Sequence, residues 1–137
     1  MEPRQIEIVQ ETFERLLPQA DAAAELFYTN LFASDPSLRK LFPEDMTEQR
    51  QKLMTMLHMA VNSLWRPEKI ITALQSLGSR HAGYGVTSAH YTTVGNALIA
   101  TLRQAFGDAF TAEVEGAWVS AYGLIANTMQ EQPAPVV

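Results

Sequence analysis

LQSLGSRHAGYGV, Leu74 to Val86, places an imidazole at the end of an apolar stripe and follows it at once with two glycines. Counting back from His81, the residues Leu77, Leu74 and Ile70 recur at the spacing that lines one face of an α-helix. The pattern predicts a helix from Pro67 to His81 whose buried stripe ends in the imidazole, with Gly83 and Gly85 stopping it. Something must meet that side chain, because a buried polar group without a partner costs about 1 to 3 kcal/mol.

Outward from this stretch, prolines punctuate the chain. Pro18, Pro36, Pro43 and Pro67 fall between periodic segments, while Pro3 opens the chain and Pro133 and Pro135 close it. Ile6, Val9, Phe13 and Leu16 line one helical face, and Ala23, Ala24, Phe27, Tyr28 and Leu31 line another. Ser34 or Asp35 is placed to cap a short turn that Pro36 opens, and Thr47 to cap the next helix. That helix turns Leu53, Leu57, Ala60, Val61 and Leu64 inward, with Gln49 on the same side. Two long helices follow. One directs Tyr91, Val94, Leu98 and Leu102 inward; the other, capped by Thr111, directs Val114, Trp118, Ala121, Tyr122, Ile125 and Met129. No segment alternates like a strand, so the expected fold is all-α with about six to eight helices. Their unequal lengths argue against a regular four-helix bundle and suit oblique crossings that enclose a cavity.

Composition narrows the function. The 137 residues suit one domain, expected over 1–131, with the closing QPAPVV, residues 132–137, as a flexible tail. The absence of cysteine excludes disulfides, thiolate metal sites, a cysteine nucleophile and covalent haem attachment. A net charge of −5, with the ten basic residues dispersed, gives no footprint for nucleic acid or an anionic membrane. Neither a membrane span nor a signal peptide is legible, and the expectation is a cytoplasmic protein whose partners are small molecules and proteins.

His81, Gln49 and Tyr28 are therefore the polar groups expected inside. Spacing alone leaves two readings open. A lone inward histidine is more often a hydrogen-bonded core residue than a ligand, and an inward tyrosine is usually packing with its hydroxyl satisfied.

Longer stretches carry a resemblance. FYTNLFASDPSLRKLF (Phe27 to Phe42), QRQKLM (Gln49 to Met54), LGSRHAGYGV (Leu77 to Val86), HYTTVGNAL (His90 to Leu98) and AWVSAYGLIA (Ala117 to Ala126) occur in order over nearly the whole chain. Together they resemble the bacterial globins, both the neuroglobin-like single-domain haemoglobins and the globin module of flavohaemoglobins. The resemblance implies a globin fold around haem b, with His81 as proximal iron ligand and Phe42 as the aromatic wedge against the haem. Tyr28, Gln49 and Leu53 would form the distal pocket. Leu57, Leu77, Val86, Tyr91, Val94 and Leu98 would complete the cofactor's surroundings. One protein ligand leaves the opposite axial position open to dioxygen, NO or CO. Hydrogen bonds from Tyr28 and Gln49 would favour bound dioxygen, which is partly negative, over carbon monoxide.

Other residues carry less. Lys52 and Arg80 are options for the haem propionates, against simple solvation, and Tyr91 has packing as an equal reading. No chemistry is assigned to His58 or His90. The resemblance also has a gap: the late glutamate that flavohaemoglobins place behind the proximal imidazole aligns near Pro133, and Glu131 is out of phase. A strong electron push for O–O cleavage is therefore not expected. Reversible high-affinity dioxygen binding for storage, delivery or scavenging is the first functional expectation. Nitric oxide dioxygenation with an external reductase is the second, since no flavin module fits the length. A globin-fold sensor or interaction module is the third.

Overall fold

The computed structural model describes residues 1–131, so the expected tail lies outside the described residues. Six α-helices carry the fold: α1 Pro3–Leu16, α2 Ala20–Ser34, α3 Thr47–Asn62, α4 Ile71–Gly83, α5 Ser88–Phe106 and α6 Ala112–Gln130. Short 3₁₀ turns at Leu17–Gln19, Pro36–Leu41, Pro67–Lys69 and Gly107–Ala109 join them, and no strand occurs among the described residues. Proline opens α1 and the 3₁₀ turns beginning at Pro36 and Pro67, where a missing N–H costs nothing.

Local chemistry explains most boundaries. Asp35 caps the Pro36 turn by accepting from the Ser37 N–H at 3.1 Å, and Thr111 caps α6 by accepting from the Val114 N–H at 3.3 Å. Thr47 does not cap α3. It is the first helical residue, Met46 holds the cap position, and the Asp45 carboxylate accepts the Thr47 N–H at 3.0 Å. An acidic side chain two residues upstream thus supplies the acceptor that the hydroxyl was expected to give. The helix carrying His81 begins at Ile71, after a 3₁₀ turn, because the tight turn that Pro67 opens uses the first residues differently. Leu64 is buried as expected but lies past the end of α3.

The main core gathers Val9 and Phe13 from α1, Leu31 from α2, Val61 from α3, Leu102 from α5 and Trp118 from α6. Its one aromatic N–H is satisfied from inside: Trp118 Nε1 donates to Thr12 Oγ1 at 2.8 Å, and the Thr12 hydroxyl donates to the Ile8 carbonyl at 2.7 Å. Thr12→Val keeps the shape and strands the indole, so it should lower unfolding free energy by about 1 to 3 kcal/mol. Urea denaturation checks this, with Thr12→Ser expected to lose less; equal losses would show that the methyl group, not the hydroxyl, matters.

Helix pairing positions the site. α2 packs on α5 and α3, α1 on α6 and α3, and α4 on α6. A second apolar cluster, Ala60, Leu74, Ile125 and Met129, ties α4 to α6 and to the C-terminal end of α3. The α4–α6 seam is very close at Gly78, where a β-carbon would overlap the Met129 carbonyl and stand 2.8 Å from its Cα. Tyr122 locks the neighbouring helix, lying where a Gly95 β-carbon would meet its ring at 2.7 Å and donating its hydroxyl to the Tyr91 carbonyl at 2.6 Å. No described helix is long and apolar enough to cross a membrane.

Candidate functional site

α3 and α4 share no seam like that of α4 with α6. They meet at Ala60 and Leu74, and away from this junction the helices present half-buried side chains: Gln49 and Leu53 on α3, Leu77 and His81 on α4. Phe42, Leu53 and Val94, all half-buried, pack against the main core, to which the buried Leu57 and Leu98 belong.

His81 is held by its own helix. Its Nδ1 lies 2.7 Å from the Leu77 carbonyl, a distance at which the ring donates an N–H to that oxygen. The tautomer so fixed carries a lone pair on Nε2, which forms no hydrogen bond among the described residues and is free to ligate. Directly after His81 the helix closes with two nested bonds, Gly85 N–H to the Ala82 carbonyl at 3.0 Å and Val86 N–H to the His81 carbonyl at 3.1 Å. Gly85 takes φ +87°, which favours glycine, and Val86 is thereby brought back beside the last turn of α4. This answers why glycine follows the imidazole so closely.

Tyr28 projects from α2 and is only 6% exposed. Gln49 Nε2 donates to its hydroxyl oxygen at 3.2 Å. The two distal side chains are therefore joined, not independent as their separate positions in the sequence suggested. Because the amide supplies the hydrogen to this bond, the phenol retains its own proton for another acceptor. Burial pushes the Tyr28 hydroxyl above the usual tyrosine range, and the Gln49 hydrogen bond offsets part of that rise. The ring belongs to an aromatic group with Phe27, Phe32 and Phe42, at centroid distances of 5.0, 5.9 and 5.5 Å.

Tyr91 sits apart from the distal pair, behind α4. It borders a cavity of about 240 Å³ with Gly78, Ala82, Val86 and Met129, and burial raises its hydroxyl's pKa. Lys52 is exposed and pairs with Glu48 at 3.4 Å; Arg80 is exposed. His58 meets Phe13 edge-on at 5.8 Å, and His90 accepts the Thr87 N–H at 2.9 Å in a capping box for α5. Glu131 accepts from Gln75 at 3.2 Å, while the position near Pro133 lies outside the described residues.

Two residues that spacing did not single out shape the site. Arg39 donates to the carbonyls of Phe42, Pro43 and Glu44 at 3.3, 2.9 and 3.0 Å, and Gly78 permits the close approach of α4 to α6. An arginine three residues before the wedge phenylalanine in a proline-opened turn was the available signal for the first. Nothing local marks the second, since the contact is with a residue far along the chain.

An imidazole on α4 whose Nε2 has no hydrogen bond among the described residues, and a hydrogen-bonded phenol–amide pair from α2 and α3, belong to an all-α protein. The Globin family model matches residues 25–129, and this chain belongs to the globin family. It is similar to the flavohemoprotein of Rhizobium meliloti, 30% identical over 126 residues that cover 90% of this chain and 31% of that protein. The flavohemoprotein of Bacillus subtilis is 28% identical over 130 residues, 93% of this chain and 33% of that one. The chain thus spans about a third of the length of these relatives. A bacterial globin from Campylobacter jejuni shares the fold at TM-score 0.84 and 23% identity, covering 94% of each chain. An engineered carbene transferase whose parent is a proposed nitric oxide dioxygenase of Rhodothermus marinus superposes at TM-score 0.84 and 25% identity, covering 95% of this chain and 91% of that one. Globins bind haem and diatomic gases, and the residues here suit that group: an imidazole nitrogen without a hydrogen bond among the described residues, a phenol held by an amide, and half-buried apolar side chains on α3 and α4.

Proposed function

We propose that this chain holds haem b through His81 Nε2 and binds dioxygen reversibly with high affinity, for storage, delivery or scavenging. The observation that carries the reading is the Gln49–Tyr28 hydrogen bond, which leaves a buried phenol proton available to a ligand. Haem, when bound, would supply the iron that takes the gas. The rest is done by the chain. Leu77 orients the imidazole, and Phe42, Leu53, Leu77, Val86 and Val94 enclose the macrocycle. The buried Leu57 and Leu98 would help exclude water, and Tyr28 would donate its hydroxyl proton to a bound dioxygen. Gln49 acts mainly by orienting that phenol, and Tyr91 backs α4.

The similarity to flavohemoproteins and to the Rhodothermus marinus protein favours a second reading, conversion of NO and dioxygen to nitrate with the iron left ferric. Its continued turnover needs electrons from a reductase, and the helices and turns of the described residues form no nucleotide-binding sheet. One experiment separates the two. Reduced, haem-loaded protein in air should consume one equivalent of NO per haem in a burst and then stop, with NADH present, until a reductase is added. Sustained consumption with NADH alone would overturn the binding role in favour of autonomous catalysis. A missing Soret band after haem reconstitution would instead favour a haem-free sensor or interaction module.

A further inference from the structure

Arg39 belongs to the turn between α2 and α3, and its guanidinium does three things at once. Nη1 donates to the carbonyls of Phe42 and Pro43, Nη2 donates to that of Glu44, and the group lies 5.4 Å from the centroid of the Phe32 ring. Phe32 in turn stacks on Tyr28 with 28° between the ring planes and meets Phe42 edge-on at 5.4 Å. A planar fork is thus anchored to the chain after the turn and to the aromatic group on α2.

We propose that Arg39 is a positioning residue for Tyr28: by fastening the Phe42–Glu44 backbone to Phe32, it holds the ring cluster that fixes the Tyr28 hydroxyl against Gln49. The physical argument is geometric. Tyr28 touches Phe32 on one side and Phe42 on another, and these two rings come from segments on opposite sides of the turn. Phe42 caps the Pro36 turn with extended backbone, held there only by its N–H to the Arg39 carbonyl at 3.2 Å, so its carbonyl is left for the guanidinium. The three carbonyls that Arg39 binds are not fixed by a regular element, and the fork replaces one. Lysine cannot do the same, because a point charge on a flexible stem satisfies carbonyls singly and stacks poorly.

The inference rests on the reading that Tyr28 donates to bound dioxygen, and a double-mutant cycle separates the two. With haem-loaded protein, Arg39→Ala should accelerate dioxygen release by about 3- to 30-fold, the range expected for coupled neighbours. In a Tyr28→Phe background the same substitution should change release by less than about 2-fold. Proton NMR of the diamagnetic carbon monoxide complex supplies a readout other than release: cross-relaxation between the Tyr28 and Phe42 rings should be present in the parent and lost in Arg39→Ala. Arg39→Lys should recover neither signal fully. Additive effects of Arg39→Ala and Tyr28→Phe, unchanged ring cross-relaxation, or full recovery in Arg39→Lys would each overturn the proposal. No effect of Tyr28→Phe on its own would overturn the dioxygen reading first, leaving the ring measurement to decide whether Arg39 organises the cluster.

Discussion

His81→Ala should bind haem more weakly than the parent by more than about 100-fold, beyond what losing an outer-shell partner of a metal ligand costs. The reason is specific to this chain. His81 presents a free Nε2, whereas His58 is exposed and engaged edge-on with Phe13, and His90 is consumed by a helix cap. No other described imidazole stands ready to substitute. The apolar side chains of α3 and α4 remain in the variant, so free imidazole at high concentration should restore part of the five-coordinate ferrous spectrum. Titration of apoprotein with haem, followed in the Soret region, checks both expectations. Full retention of haem with an unchanged ferrous spectrum would remove His81 from the role of ligand.

Tyr28→Phe should speed dioxygen release by about 10- to 100-fold, because a hydrogen bond to a charged acceptor contributes about 1.5 to 3 kcal/mol and affinity changes fall mostly on the off-rate. Carbon monoxide, which gains little charge, should leave at nearly the parental rate. Flash photolysis and stopped-flow mixing measure the pair. Equal acceleration of the two gases would show that Tyr28 acts by bulk. A pH series adds a further check. Burial raises the phenol's pKa, so it keeps its proton through neutral and mildly alkaline pH, and release from the parent should show no titration by this group below about pH 10. A release rate that climbs between pH 7 and 9 only when Tyr28 is present would contradict its assignment as a protonated donor.

How much of this was legible in the sequence depends on the range of the forces involved. Helical periodicity is local, and it placed the inward faces of α5 and α6 and the buried stripe of α3 correctly. The Thr111 cap and the Asp35 cap are also local and were readable. Thr47 failed as a cap because Asp45, equally near, offered a stronger acceptor to the same N–H. Of the candidate site, the sequence offered Tyr28 and Gln49 only as separate candidates: nothing in their separation says that the amide would donate to the phenol. Arg39 and Gly78 escaped for a related reason. Their importance lies in which carbonyls they meet, and a carbonyl has the same appearance in every residue of a sequence.

The Gly78 seam makes the mounting of the imidazole one-sided. Where side chains separate two helices, either can yield a little in both directions as rotamers adjust. Here backbone lies against backbone, and peptide groups have no rotamers with which to yield. α4 can recede from α6 but cannot be pressed toward it, so α6 acts as a mechanical stop for the segment that carries His81. Past that stop, toward Ala82 and Val86, an open cavity replaces solid packing. The firm support that α6 gives to α4 is therefore concentrated at Gly78, about one helical turn before His81.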